Sequence, residues 1–216
     1  MGFYLFSKIT SSYFKSINSI SVANYCVKMS KTAILLLAEG AEEMEAVITA
    51  DVLRRAGVQV TIASINDEKC VKCSRDVKIC TDSNFTDATK DKNYDVVVLP
   101  GGVGYKKLAA SQCVGTLLKD QESKKGIIAA ICAAPVVLKA HGIAKGSKIT
   151  SYPSTESDLK DDYKYIEDQK VVTDGNIITS RGPATAFDFG LAIVEKLLDK
   201  ESALTVAKAM LYTDYK

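Results

Sequence analysis

A chain of 216 residues, 47% hydrophobic and 25% charged, can bury a sizeable core and suits one domain with an extension. Its formal net charge of +2 leaves neither the basic surplus of a nucleic-acid binder nor the acidic block of a solvating tail. No stretch approaches the roughly 18 apolar residues that span a bilayer, so no membrane span is expected.

Residues 1–28 stand apart from the rest, and the domain is expected over 29–216. Before Glu39 there is no acidic residue, whereas Lys8, Lys15 and Lys28 are basic and serine is frequent. Phe3, Phe6, Ile9, Tyr13, Ile17 and Ile20 recur at helical spacing. That composition is the one found in organelle transit peptides; the alternatives are a disordered extension, or a first codon upstream of the true start at Met29. A cytoplasmic location, or a mitochondrial one reached through residues 1–28, is the expectation. Six cysteines, single in apolar runs or loose in one segment, read as free thiols in a reducing compartment. The sequon Asn84-Phe85-Thr86 is then a chance match.

Thr32–Ala38 is a continuous apolar run, the pattern of a strand buried on both faces. Ala41–Ala56 reads as a helix closed by Gly57, and Val58–Ser64 as the second strand. Lys72–Ile79 is short and flanked by polar residues, an excursion from the sheet. Tyr94–Leu99 is the next buried strand, ended by Pro100-Gly101-Gly102. A helix over Lys106–Glu122, the strand Gly126–Ile131 and a helix over Ala133–Ala140 follow. Lys148–Ser151 is a short strand. Lys170–Thr173 and Asn176–Thr179 flank Asp174-Gly175, a strong hairpin signal. Helices over Thr185–Leu198 and Ala203–Leu211 complete the chain. Buried strands alternating with helices predict an α/β fold, a doubly wound and mostly parallel sheet covered on both faces. Ligands bind such sheets at the carboxyl ends of the strands, here Glu39–Glu45, Leu99–Gly104 and Ile131–Pro135.

Cys132 lies where an apolar strand runs straight into a helix, the setting of a nucleophile elbow. A helix N-terminus there would lower the thiol pKa and make the sulfur nucleophilic and oxidisable. A buried inert cysteine is the competing reading. Gly102 and Ala133 could supply backbone amides for an oxyanion hole. Glu42, Glu43 and Glu45 all complement the first helix's dipole, but Glu45 shares a stripe with Ile48 and Val52 and should point inward. A protonated Glu45, its pKa raised, would donate to the sulfur and could move a proton. His141, nine residues after Cys132 and on the opposite side of a helix, cannot serve as its base. One histidine and scattered cysteines predict no metal site. Cys70-Val-Lys-Cys73 has redox-motif spacing but lies in a polar segment, and it reads as two partly exposed thiols.

The segments GAEEMEAV, CSRDVKI, YDVVVLPGG, GIIAAICAAP, KIT-SYP and ITSRGPATAFDFGLAIVEKLL resemble the ThiJ/PfpI superfamily, nearest its Parkinsonism-associated deglycase ("DJ-one") branch. The resemblance runs from about Met29 to the C-terminus. It implies a flavodoxin-like fold, a homodimer, no cofactor, a reactive cysteine at Cys132, its acid partner at Glu45, and oxyanion donors at Gly102 and Ala133. Cys73 and Cys80 match secondary oxidisable cysteines, and Arg75 matches the CSRD motif. Arg181 is a weaker candidate for shaping the pocket. The implied activities are glutathione-independent conversion of methylglyoxal to lactate, deglycation of glyoxal-modified amino groups, and stress sensing through a cysteine sulfinate. A nuclear location is also implied. Tyr152 stands where many relatives have histidine, the loop Gly101–Lys107 looks one residue short, and Ala184 replaces a usual glycine. Ala133 stands where protease members carry histidine, which argues against peptidase activity.

Overall fold

The computed structural model describes residues 30–66 and 68–216, so the expected targeting segment, 1–28, lies outside the described residues. Its centre is a seven-stranded sheet in the order β10 (Val171–Asp174), β11 (Ile177–Ser180), β7 (Ile127–Ile131), β6 (Val96–Leu99), β1 (Thr32–Leu37), β2 (Gln59–Ser64) and β5 (Ser83–Asn84). Strand β1 (Thr32–Leu37) lies between β2 (Gln59–Ser64) and β6 (Val96–Leu99), parallel to both. Strand β7 (Ile127–Ile131) continues the parallel order on β6, followed by β11 (Ile177–Ser180). Only β10 (Val171–Asp174) is antiparallel, hairpinned onto β11 around Gly175, whose φ is +58°. Ile34 to Leu37, Val96 to Leu99 and Ile127 to Ile131 are all buried, as strands covered on both faces must be.

Each face has its own core. On one, α1 (Glu43–Arg55) packs against α7 (Ala186–Leu197), and α7 against α8 (Lys200–Ala209), around Val52, Leu53, Phe189 and Ile193. The α1–α7 approach is close: a Cβ on Gly190 would lie 3.0 Å from Val52. The other face is covered by α3 (Tyr105–Ala110), α4 (Gln112–Ser123) and α5 (Pro135–His141) around Leu36, Leu108, Leu118 and Leu138. No helix among the described residues is long and apolar enough to cross a membrane.

The expected single helix over Lys106–Glu122 is two helices. Ser111 breaks it by adopting an extended backbone and capping α4, its side chain accepting from the Val114 amide. Four short elements have no periodic signal and were not expected: β5 (Ser83–Asn84), α2 (Phe85–Thr89), α6 (Glu156–Leu159) and β9 (Lys164–Tyr165). Strand β8 (Lys148–Ile149) pairs with β9 and stands outside the main sheet.

The excursion after β2 is a hairpin of β3 (Cys70–Lys72) and β4 (Lys78–Cys80). The reading of Cys70 and Cys80 as free thiols is corrected here, because they form a disulfide. The two are cross-strand partners, flanked by hydrogen-bonded ladder positions: the Thr81 amide donates to Lys69 and the Cys73 amide to Val77. Cys70 and Cys80 therefore occupy a non-hydrogen-bonded pair, where side chains lie closest. Cys73, expected to be partly exposed, is buried on the other side of the strand.

Candidate active site

Strand order reverses at β1: β2 lies on one side of it and β6 on the other. The carboxyl ends of β1, β6 and β7 therefore open into one crevice, and each delivers part of the site. Cys132 follows β7 directly and adopts φ +63°, a left-handed backbone that non-glycine residues avoid. Holding it there costs about 1–3 kcal/mol and is met by two backbone bonds. The Cys132 amide donates to the Ser180 carbonyl at 2.9 Å, and its own carbonyl accepts from the Tyr152 amide at 2.8 Å.

The end of β1 brings Glu45. Its residue is wholly buried in the first turns of α1, and its Oε2 accepts from the Gly101 amide at 2.8 Å. Its Oε1 is also buried and has no hydrogen-bond partner, while the nearby Cys132 thiol favours the ionised carboxylate. Burial pushes the Glu45 pKa up to about 7, against the lowering effect of the Gly101 amide and the thiol. The raised value expected for Glu45 is therefore what its surroundings produce.

The end of β6 brings the glycines. Gly102 has φ +70°, and a Cβ on it would lie 2.4 Å from the Gly40 carbonyl oxygen. Gly101, which sequence reasoning passed over, is packed more tightly against the chemistry. A Cβ there would lie 2.6 Å from the Cys132 Cβ and 2.9 Å from Glu45 Oε2. The Gly-Gly pair was the available signal, but nothing in it distinguished the two roles. The Gly102 and Ala133 amides both reach the Cys132 sulfur and favour its thiolate.

The expected lowering of the Cys132 pKa is not what this geometry gives. Burial first, then the negative charge of an ionised Glu45, push the thiol up to about 12. The helix offers little help, since α5 starts only at Pro135 and has seven residues. Protonating Glu45 removes the opposing charge, so the titrations of the two groups are coupled. Cys132 is buried, with 9% of the residue exposed.

The remaining candidates separate. Tyr152, an exposed residue, holds the elbow through its backbone, while its ring lies over Gly182. Arg181 is half-buried, one residue beyond the carbonyl that anchors Cys132. Arg75, Cys73 and Cys80 belong to the hairpin behind the β1–α1 loop. The Arg75 amide donates to Glu43 Oε1 at 2.8 Å, and its guanidinium caps the Ser74 carbonyl. Cys73 is pushed up to about 11, by burial first and by Glu43 and Glu42 next. His141 ends α5 with its Nε2 3.2 Å from the Leu108 carbonyl, in a packing role away from the elbow. Among the described residues, no group of three or more His, Cys, Asp or Glu is placed to hold a metal ion.

The comparisons with known proteins agree with this architecture. The family model described as DJ-1/PfpI family matches residues 31–196. Protein dj-1beta of Drosophila melanogaster is 55% identical over 184 residues, covering 85% of this chain and 98% of the relative. Its crystal structure superposes with a TM-score of 0.82 over 85% of this chain and 98% of that chain. The Parkinson disease protein 7 homolog of Danio rerio is 51% identical, with coverage of 85% and 98%. A Caenorhabditis elegans relative named glutathione-independent glyoxalase DJR-1.2 is 42% identical, with coverage of 83% and 96%. With its flavodoxin-like α/β sheet and a family match running through all three strand ends, the chain belongs to the DJ-1/PfpI family.

Proposed function

We propose that the protein is a cysteine-dependent, glutathione-independent glyoxalase that also removes glyoxal-type adducts from amino groups. The observation that carries this reading is wholly buried Glu45 meeting Cys132 across Gly101, with the Ala133 amide beside them, an arrangement in which the two groups can exchange a proton. The identity to a relative named as a glyoxalase supports it. The Cys132 thiolate adds to the aldehyde carbon of methylglyoxal, and the developing oxyanion lies toward the Gly102 and Ala133 amides. Protonation of that oxygen gives a hemithioacetal. Glu45, as carboxylate, takes the proton from the aldehyde-derived carbon and, as acid, returns it to the neighbouring carbonyl carbon, while the hydroxyl proton passes to the neighbouring oxygen, leaving a thioester. Water hydrolyses the thioester to lactate and frees the thiol, so the net reaction consumes one water and one methylglyoxal. Met44 and Val47, three residues apart on α1 and each half exposed, offer an apolar helix surface that supports a homodimer.

Cys132→Ser should lower methylglyoxal turnover by at least roughly a thousandfold while leaving the folded content unchanged, measured as lactate formation. Turnover equal to the wild type would sink the reading.

The same cradle favours a second role, redox sensing. Two peroxides would take the Cys132 thiolate through sulfenate to sulfinate, releasing one water or hydroxide at each step, and protonated Glu45 with the amides would hold the product. Mass spectrometry after peroxide treatment should find two added oxygen atoms on Cys132. An unmodified Cys132 beside oxidised Cys113 would exclude sensing at this site.

A further inference from the structure

The β3–β4 hairpin is tied to the back of the active-site loop by a run of hydrogen bonds. The Gly40 amide donates to the Lys72 carbonyl at 2.8 Å, and the Ser74 amide donates to the Ala41 carbonyl at 2.9 Å. Ser74 Oγ lies 2.6 Å from Glu42 Oε2 and 2.9 Å from Glu43 Oε2. The Arg75 amide adds its bond to Glu43. The same loop carries the glycine turn: Ala41 bridges to Gly102, and the Glu42 amide donates to the Gly101 carbonyl at 3.1 Å. One layer of backbone thus joins the hairpin to the residues around Cys132.

The hairpin itself is short, with three residues in each strand, and both strands lie outside the seven-stranded sheet. A two-stranded hairpin of that size is marginal without a further constraint. The Cys70–Cys80 bond is that constraint, and both cysteines are exposed to solutes. Cys73, between them in sequence, is buried, and its raised pKa keeps it protonated at neutral pH. Exposure therefore selects the pair.

We propose that Cys70 and Cys80 form a reversible redox clamp that fixes the β3–β4 hairpin and, through it, the loop behind Cys132. In the closing reaction one of the two thiolates attacks a sulfur of a small-molecule disulfide and expels one thiol. The second thiolate attacks the mixed disulfide and expels the other. The pair loses two electrons and two protons, and the oxidant's sulfur–sulfur bond becomes two thiols. A dithiol reductant reverses the exchange. Closing the bond removes conformational freedom from the opened hairpin and so suppresses its local opening.

The test uses the full chain equilibrated in glutathione buffers from fully reduced to fully oxidised, with free thiols trapped and peptides mapped. The expected product is a single Cys70–Cys80 cross-link, with Cys73 trapped only after denaturation. Amide hydrogen exchange at Gly40, Ser74 and Arg75 should slow by on the order of tenfold to a hundredfold on oxidation. Cys70→Ser and, separately, Cys80→Ser should exchange like the reduced wild type in every buffer. A cross-link through Cys73, a Cys80–Cys80 link between two copies, or exchange indifferent to the bond would each overturn the clamp. Thiol pairing and amide exchange report on the hairpin alone, so they hold or fail independently of methylglyoxal turnover.

Discussion

Cys132 is a thiol under two opposing influences, and the positions around it show how narrow the balance is. Burial and the Glu45 carboxylate raise its pKa, while the Gly102 and Ala133 amides lower it. The left-handed backbone at Cys132 sets the residue at the end of β7, on the edge of the core and beside those amides. Gly101 is the residue that lets the three groups meet. Gly101→Ala would push a methyl group to 2.6 Å from the Cys132 Cβ and toward Glu45 Oε2. It should destabilise the fold by about 1–3 kcal/mol in urea titration and reduce turnover by about tenfold or more. A variant with wild-type stability and turnover would show that the glycine turn has room this geometry denies it. From sequence, Cys132, Glu45 and Gly102 were legible because each sits at a strand end or on a helical stripe. Gly101 was not, because two adjacent glycines look alike until the backbone around them is placed.

Among the elements, the long buried strands were readable and the short ones were not. β1, β6 and β7 are apolar runs whose burial follows from composition alone. The break between α3 and α4 was missed since Lys106–Glu122 keeps a helical period across it. A single capping serine decides it, through a bond from the Val114 amide. Ser111→Ala should then cost about 1 kcal/mol in chemical denaturation, and Ser111→Asp should cost much less. Equal stability of the two variants would mean the cap carries no weight. The hairpin was legible only as an excursion. Its disulfide depends on ladder register, which fixes Cys70 opposite Cys80, and the spacing of cysteines along the chain does not encode that pairing.

Across the whole molecule, two carboxyl groups set opposite limits on stability. Asp95 accepts from the Thr32 amide and hydroxyl and pairs with Lys31, joining the start of β6 to the start of β1. Burial raises its pKa, but the bonds to Lys31 and Thr32 outweigh this and hold it below the ordinary 3.8. Its contribution is present above that value and is lost as pH falls through the lower folded one. Glu45 works in the other direction. Its pKa rises from 4.5 to about 7 on folding, so its contribution is complete below 4.5 and is lost as pH rises through about 7. Stability should therefore decline by roughly 2–3 kcal/mol between pH 5 and 8, and Glu45→Gln should flatten that decline. A wild type as stable at pH 8 as at pH 5 would contradict the burial of an ionisable Glu45.

The fold brings three strand ends to one proton, and that proton is the central claim. The most direct measurement is the pH dependence of Cys132 alkylation, followed by mass spectrometry, in the wild type and in Glu45→Gln. The wild-type rate should rise through an inflection near 7, where the Glu45–Cys132 pair loses its first proton, and Glu45→Gln should abolish that inflection. A single inflection near the ordinary thiol value of about 8.5, unchanged by the substitution, would contradict the shared proton and leave the elbow a structural turn.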